Sequence, residues 1–188
     1  MTHERGLSYA PGLLSMPRTI LALLGGGDRR SIGRADQVAA MVSKDPALFP
    51  QLIAGLRSED SLVRMRAADA AEKVTRQHRE YLLPHKKELL GLMIVAKEQE
   101  LRWHLAAIVP RLPLDPSELQ VAMSSLSDYL EDRSSIVKTF ALQGMTELAE
   151  AEADLRPGVV EILRAATREG TPAMKARSRR LLIRLGCL

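Results

Sequence analysis

Val63-Arg64-Met65-Arg66-Ala67-Ala68, Leu101-Arg102-Trp103-His104-Leu105-Ala106, Val137-Lys138-Thr139-Phe140-Ala141-Leu142 and Met174-Lys175-Ala176-Arg177-Ser178-Arg179 can be laid over one another without a gap. Each opens on an apolar anchor followed by a basic residue, and successive anchors stand 38, 36 and 37 residues apart. Such a period marks a supersecondary unit that cannot bury its apolar face alone and does so by stacking on its neighbours. The expected fold is all-α: a right-handed α-α superhelix, or solenoid, of about five helix pairs sharing one continuous core.

The units can be read outward from the first complete one, residues 45–76. Pro46, directly after Asp45, suits the first helical position, where its missing N–H would be unpaired anyway. Leu48, Phe49, Leu52, Ile53 and Leu56 then recur at three- and four-residue steps and give one apolar stripe. Ser58-Glu59-Asp60-Ser61 interrupts the stripe and supplies caps for a second helix. That helix carries Val63, Ala67, Ala68, Ala71 and Val74, small enough for close packing. The plan recurs over residues 84–112, 116–150 and 157–185. Pro84 predicts one helix start and Pro110 the end of its partner. Asp115-Pro116-Ser117-Glu118 joins an N-cap, a proline at the first position and an acid three residues after the cap. Pro157 and Thr171-Pro172 open the last two helices. Residues 18–24 and 32–42, separated by Gly25-Gly26-Gly27, predict a shorter pair, an irregular N-terminal cap over 17–43. Residues 1–16 have no period and read as an extended arm, leaving 17–188 as a single repeat domain.

These residues resemble HEAT repeats of the armadillo-like superhelical class. The likeness is carried by Pro50, Ile53 and Leu56, then Asp60, Val63-Arg64 and Ala67-Ala68, and again by Pro84, Leu90, Glu98, Leu101-Arg102 and Ala106. It covers roughly residues 31–185, at spacings slightly below the roughly 40–47 residues of the class, which short inter-helix loops explain. The chain also resembles small bacterial HEAT-repeat proteins of unassigned activity. In such repeats the second helix of each pair lines the concave surface. The resemblance therefore implies a noncatalytic scaffold that binds another protein there.

On that reading, matching positions form ladders across the concave helices. Arg64, Arg102, Lys138 and Lys175 make one, with Asp60, Glu98 and Asp132 available to pair with it. Arg34, Arg66, His104, Phe140 and Arg177 make another, which reads either as a solvated face or as a row of contact residues. Trp103, the single tryptophan, suits packing between repeats and equally suits anchoring a partner or stacking on a base. The expected contact set is Arg34, Arg66, Trp103, His104, Phe140 and Arg177.

The net charge of +4 is unevenly spread: residues 171–188 hold five basic side chains and no acidic one, while residues 44–170 sum to −3. The basic C-terminal patch, Lys175, Arg179, Arg180 and Arg184, reads as the polar outer face of a terminal repeat. It also supports an alternative, binding to a nucleic-acid phosphate backbone. Similarity to alkylpurine DNA glycosylases, HEAT-like superhelices with a basic concave face, would make Trp103 the stacking aromatic and Asp69 the carboxylate. With only 3% aromatic residues, that reading comes last.

Reactive constellations are missing from the linear sequence. Gly6-Leu7-Ser8-Tyr9-Ala10 lacks the second glycine of a hydrolase elbow. Gly25-Gly26-Gly27-Asp28 lacks the lysine of a phosphate loop and offers a carboxylate instead, so it reads as a turn with Asp28 or Ser31 as a cap. His78 with His85, and Glu100 with His104, supply two ligands each, too few for a closed zinc site. No catalytic role, cofactor or metal is expected. One cysteine, Cys187, excludes an intrachain disulfide and fits a reducing compartment. Neither a signal-peptide core nor a run of ~18 apolar residues is found, which makes the cytoplasm, away from membranes, the expected location.

Overall fold

The structure, a computed structural model, describes residues 19–28 and 31–187. The expected arm over residues 1–16, with Gly6-Leu7-Ser8-Tyr9-Ala10, lies outside the described residues. Among the described residues there are nine α-helices and no strand. They are α1 (Ala35–Lys44), α2 (Phe49–Gly55), α3 (Ser61–Thr75), α4 (Lys86–Val95), α5 (Gln99–Ile108), α6 (Pro116–Leu130), α7 (Ser135–Ala151), α8 (Arg156–Glu169) and α9 (Pro172–Arg184).

A short polar cap or a first-turn proline starts α2, α3, α6, α7, α8 and α9, as their free N–H groups demand. Asp60 accepts from the Leu62 N–H at 2.8 Å to cap α3, and Thr171 accepts from Met174 at 3.3 Å to cap α9. At α6 the Asp115 side chain takes the Ser117 and Glu118 N–H groups at 2.8 and 2.9 Å, and Glu118 returns to the Asp115 N–H at 2.8 Å. Pro116 fills the first turn of that closed capping box. Pro110 ends α5 as expected, in a 3-10 turn over Val109–Arg111. Pro84 differs from expectation: it sits inside a 3-10 stretch, Arg79–His85, and α4 begins only at Lys86. His85, at φ −107° and ψ 8°, is the non-helical residue directly ahead of α4.

The odd-numbered helices form one row, with α1 packed on α3, α3 on α5, α5 on α7 and α7 on α9. The even-numbered helices form a second layer, each packed on the odd-numbered helix that follows it, and α4 also meets α6. Between the layers runs one apolar cluster from Ile20 to Leu185. Leu52, Leu89, Leu105, Leu126, Leu142 and Leu163 are completely buried in it, each worth about 1.5–3 kcal/mol of transfer free energy. Tyr129 on α6, also buried, donates its hydroxyl to the Met93 carbonyl of α4 at 2.7 Å and so closes the even layer at that point.

Small residues set how closely the row packs. Ala67, Ala68, Ala70 and Ala71 are all fully buried on α3. On α7 a Cβ added at Gly144 would lie 2.6 Å from the Ala106 carbonyl oxygen and 3.2 Å from Pro110 Cγ, so only glycine fits against α5.

The first pair is shorter than its sequence suggests. Residues 18–24 were expected to be helical, but the described part forms only a 3-10 turn over Ile20–Leu23. Gly26 and Gly27 then take positive φ angles of 72° and 80°. A helix nucleus this short, ahead of three residues that favour other backbone states, is not extended.

Gly144→Ala is expected to destabilise the chain by about 1–3 kcal/mol, because neither the α5 backbone nor Pro110 can move aside. Gly91, in the exposed interior of α4, has nothing within 4 Å of a built Cβ, and Gly91→Ala should stabilise by roughly 0.5–1 kcal/mol. Urea denaturation followed by circular dichroism measures both, and equal effects at the two sites would contradict close packing at Gly144.

Candidate functional site

Three rows of polar contacts cross the odd-numbered helices. Near the helix N-termini, Arg64 on α3 donates to the Glu59 carbonyl at 3.1 Å, to the Ser58 carbonyl, and to the Glu98 carboxylate ahead of α5 at 3.0 Å. One unit later Arg102 repeats this, donating to the Ala96 carbonyl at 2.7 Å and to Asp132 at 2.6 Å. Each arginine thus joins the turn of its own unit to an acid of the next. Lys138 occupies the third such position without an ion pair among the described residues, beside a cleft of about 380 Å³ floored by Leu142, Ile162 and Met174.

Near the C-termini, Glu72 on α3 takes Arg76 at 2.7 Å and Arg111 at 2.5 Å, while Glu150 on α7 takes Arg184 of α9 through two contacts, one at 2.6 Å. Burial alone would push the Glu72 carboxyl up, but hydrogen bonds from Arg76 and Arg111 and their charges hold it below the usual carboxylate range.

The middle row touches all five odd-numbered helices. Asp36 of α1 meets Lys73 of α3 at 2.5 Å, and Lys73 meets Asp69 one turn earlier at 2.7 Å. Asp69 faces the His104 Nε2 of α5 at 3.8 Å. His104 is buried, and its Nδ1 donates to the Glu100 carbonyl at 2.5 Å, which leaves Nε2 without a hydrogen bond. The Trp103 ring lies over the His104 ring with centroids 3.4 Å apart. Trp103 then meets Phe140 of α7 at 5.1 Å, and the Arg177 guanidinium of α9 stands 5.8 Å from the Phe140 centroid. Arg177 donates to Gln143, whose amide donates to Glu147 at 2.9 Å. At Asp69 burial raises the carboxyl, but the approach of His104 and the hydrogen bond and charge of Lys73 outweigh it and hold the pKa low.

The expected contact residues divide. Trp103, Phe140 and Arg177 are half-exposed and adjoin one another. Arg66 and His104 are corrected: each is 1% exposed. Arg66 runs under the glycine turn and donates to the carbonyls of Leu24 at 2.7 Å, Gly26 at 2.6 Å, Asp28 at 2.9 Å and Ser31 at 3.1 Å. Gly33 passes so close that its built Cβ would sit 2.8 Å from Arg66 Cζ. Arg34 is exposed beside this turn, away from the aromatic row. In the C-terminal patch Arg179 and Arg180 are exposed, Lys175 is half-buried, and Arg184 belongs to the Glu150 pair.

The sequence reading missed Gln143, Glu147 and Glu150. Their spacing from Phe140, at steps of three and four, places them on one side of α7 and was the available signal. The histidines weighed in the sequence make other contacts: His78 stacks on Tyr81 at 4.8 Å, His85 packs against Phe49 at 5.7 Å, and His104 bonds the Glu100 backbone. Among the described residues no group of three or more His, Cys, Asp or Glu side chains could hold a metal ion.

A carboxyl held low in the folded chain binds its proton less readily than in the unfolded chain. The stabilisation is therefore complete above the ordinary carboxylate pKa and is lost as pH falls through the folded value. With Asp69, Glu72 and Asp132 all held low, unfolding free energy should be flat above about pH 5 and decline below about pH 4. Glu72→Gln should lower the plateau and make the acid limb shallower in urea titrations run at several pH values; an unchanged limb would contradict the assignment. Arg66→Met, leaving four carbonyls without their donor, should cost at least ~2 kcal/mol. Hydrogen exchange should accelerate first in residues 24–28, and a uniform change across the chain would remove Arg66 from its anchoring role.

No protein-family model matches the chain, and no curated protein matches it in sequence.

Proposed function

We propose that the chain is a HEAT-like solenoid, a right-handed superhelix of about five helix pairs, whose concave surface is lined by the odd-numbered helices. On this reading it is a noncatalytic scaffold that binds another protein along that surface. The sequence period and the serial packing of α1, α3, α5, α7 and α9 support the architecture. One observation carries the function: Trp103, Phe140 and Arg177 form a contiguous half-exposed row across three helices. Tryptophan and arginine held by neighbours are the residues that most often dominate binding energy between proteins. The proposal places the protein in the cytoplasm, where a lone thiol such as Cys187 stays reduced.

A second reading, binding of a nucleic-acid backbone, draws on Arg179 and Arg180, which stand exposed on α9 without an ion pair among the described residues. Against it, a phosphate track along the middle row would meet Glu147 beside Gln143 and Asp69 beside His104. Glycosylase-like chemistry has less support still, since Asp69 is engaged by Lys73 and the Trp103 ring is stacked on His104.

A photo-crosslinking residue placed at Gln143 should capture a defined protein from the source cell, whereas one at Lys87, exposed on α4 of the other layer, should not. Trp103→Ala should abolish the Gln143 adduct. Equal labelling from both positions would sink the proposal. Salt-dependent association with duplex DNA, falling by about 0.9 log unit per log unit of salt for each neutralised phosphate, would favour the second reading.

A further inference from the structure

We infer that the partner segment is acidic: Arg177 takes a carboxylate side chain of the partner, and Phe140 and Trp103 take an apolar side chain next to it. This rests on the protein-binding reading above and adds the chemistry of what is bound.

Unmatched charge is the reason. Among the described residues the other half-buried arginines all hold carboxylates: Arg64 on α3 holds Glu98 at 3.0 Å, Arg102 on α5 holds Asp132 at 2.6 Å, and Arg111, in the turn after α5, holds Glu72 at 2.5 Å. Arg177 holds none among the described residues. Its hydrogen-bond partner is the neutral amide of Gln143. A guanidinium carries five N–H donors in a planar fork suited to two-point carboxylate binding, and one contact to an amide leaves that capacity unused. Its place 5.8 Å from the Phe140 centroid adds a ring contact that does not neutralise its charge. Arg180, one turn further along α9, is likewise without an ion pair among the described residues and adds to the positive potential.

The nearby acids do not supply the missing charge. Glu147 makes no ion pair with Arg177 among the described residues and meets the far end of Gln143 at 2.9 Å, and Glu150 is held by Arg184. At the opposite end of the middle row, Asp36 and Asp69 share the single cation Lys73. The row is thus positive at α9, aromatic at α5 and α7, and acidic toward α1. A short segment needs only one carboxylate on Arg177 and one apolar side chain on the rings. A polyanion running along the row would meet Glu147 and Glu150 to one side and Asp69 beyond Trp103. The arrangement therefore favours a peptide over a nucleic acid.

Random short peptides displayed against the immobilised full chain provide the test. Enriched sequences should carry Asp or Glu close to a bulky aliphatic or aromatic residue. A synthetic peptide of the enriched sequence should then change the emission of Trp103, the only tryptophan, on titration. Arg177→Gln should weaken binding by about 10- to 100-fold, the loss expected for a charged hydrogen-bonded pair, with far-UV circular dichroism unchanged. Arg177→Lys, which keeps the charge but loses the fork, should fall between, and Arg179→Gln should bind as the parent does. Enriched peptides without acidic residues, or equal losses in the Arg177 and Arg179 variants, overturn the acidic assignment and leave the protein-binding reading standing. If no peptide is enriched while duplex DNA or self-association shifts Trp103 emission, both are overturned.

Discussion

Between α5 and α7 the Ala106 carbonyl lies where a methyl group on Gly144 would have to go, and four buried alanines on α3 keep that helix equally close to its neighbours. The inner members of the series, α3, α5 and α7, are each packed on the odd-numbered helix before and the one after. One apolar cluster joins the helices from Ile20 to Leu185. The first and last helices of the odd-numbered series, α1 and α9, have a neighbour within it on one side only. At the start the surface is closed by the turn that Arg66 binds from below; at the finish α9 turns a polar side outward through Arg179 and Arg180. The side chains of the middle row are held in register by the same spacing, which is why a ring on α5 can reach one on α7.

The charged contacts act differently at different depths. Pairs such as Arg64 with Glu98 are partly exposed and are worth about 0–1 kcal/mol each, too little to hold the helices together. Their value lies in geometry, since an arginine that reaches its own turn and the next unit's acid at once permits only one offset between the two. Arg66 is another case. Its guanidinium is out of water and is compensated by four carbonyl oxygens, so removing it exposes a whole loop to competition from solvent. The same residue type at neighbouring positions of one helix thus serves alignment in one instance and burial in the other.

Helix starts were legible in the sequence because their signals are local: Asp115, Pro116 and Glu118 produce a capping box from residues three apart whatever surrounds them. The ladder of Arg34, Arg66, His104, Phe140 and Arg177 was legible as a register; the last four are each the sixth residue of their helices, whereas Arg34 stands at the N-cap of α1. Exposure was not legible, because it depends on what covers each place. Arg66 is covered by a glycine turn outside the repeating pattern, and His104 by the ring of the adjacent Trp103. Neither cover has a periodic signature. The shortened first pair was misread for a related reason: residues 18–24 have apolar spacing suited to a helix but too few turns before the glycines to sustain one.

Trp103 suits both packing and binding by its residue type, and its geometry joins the two. One face of the indole shields His104, while an edge meets Phe140 and the side chain remains half-exposed. A ring held on two sides has already lost its rotamer freedom before any partner arrives, and Phe140 and Arg177 are restrained by it and by Gln143 in turn. Binding energy at such a row is diminished little by ordering of the side chains. The same packing makes truncation of Trp103 ambiguous, since it uncovers His104 as well as removing contact area. Arg177 lies at the far end of the row, where its loss disturbs no buried group, and its substitution separates recognition from folding.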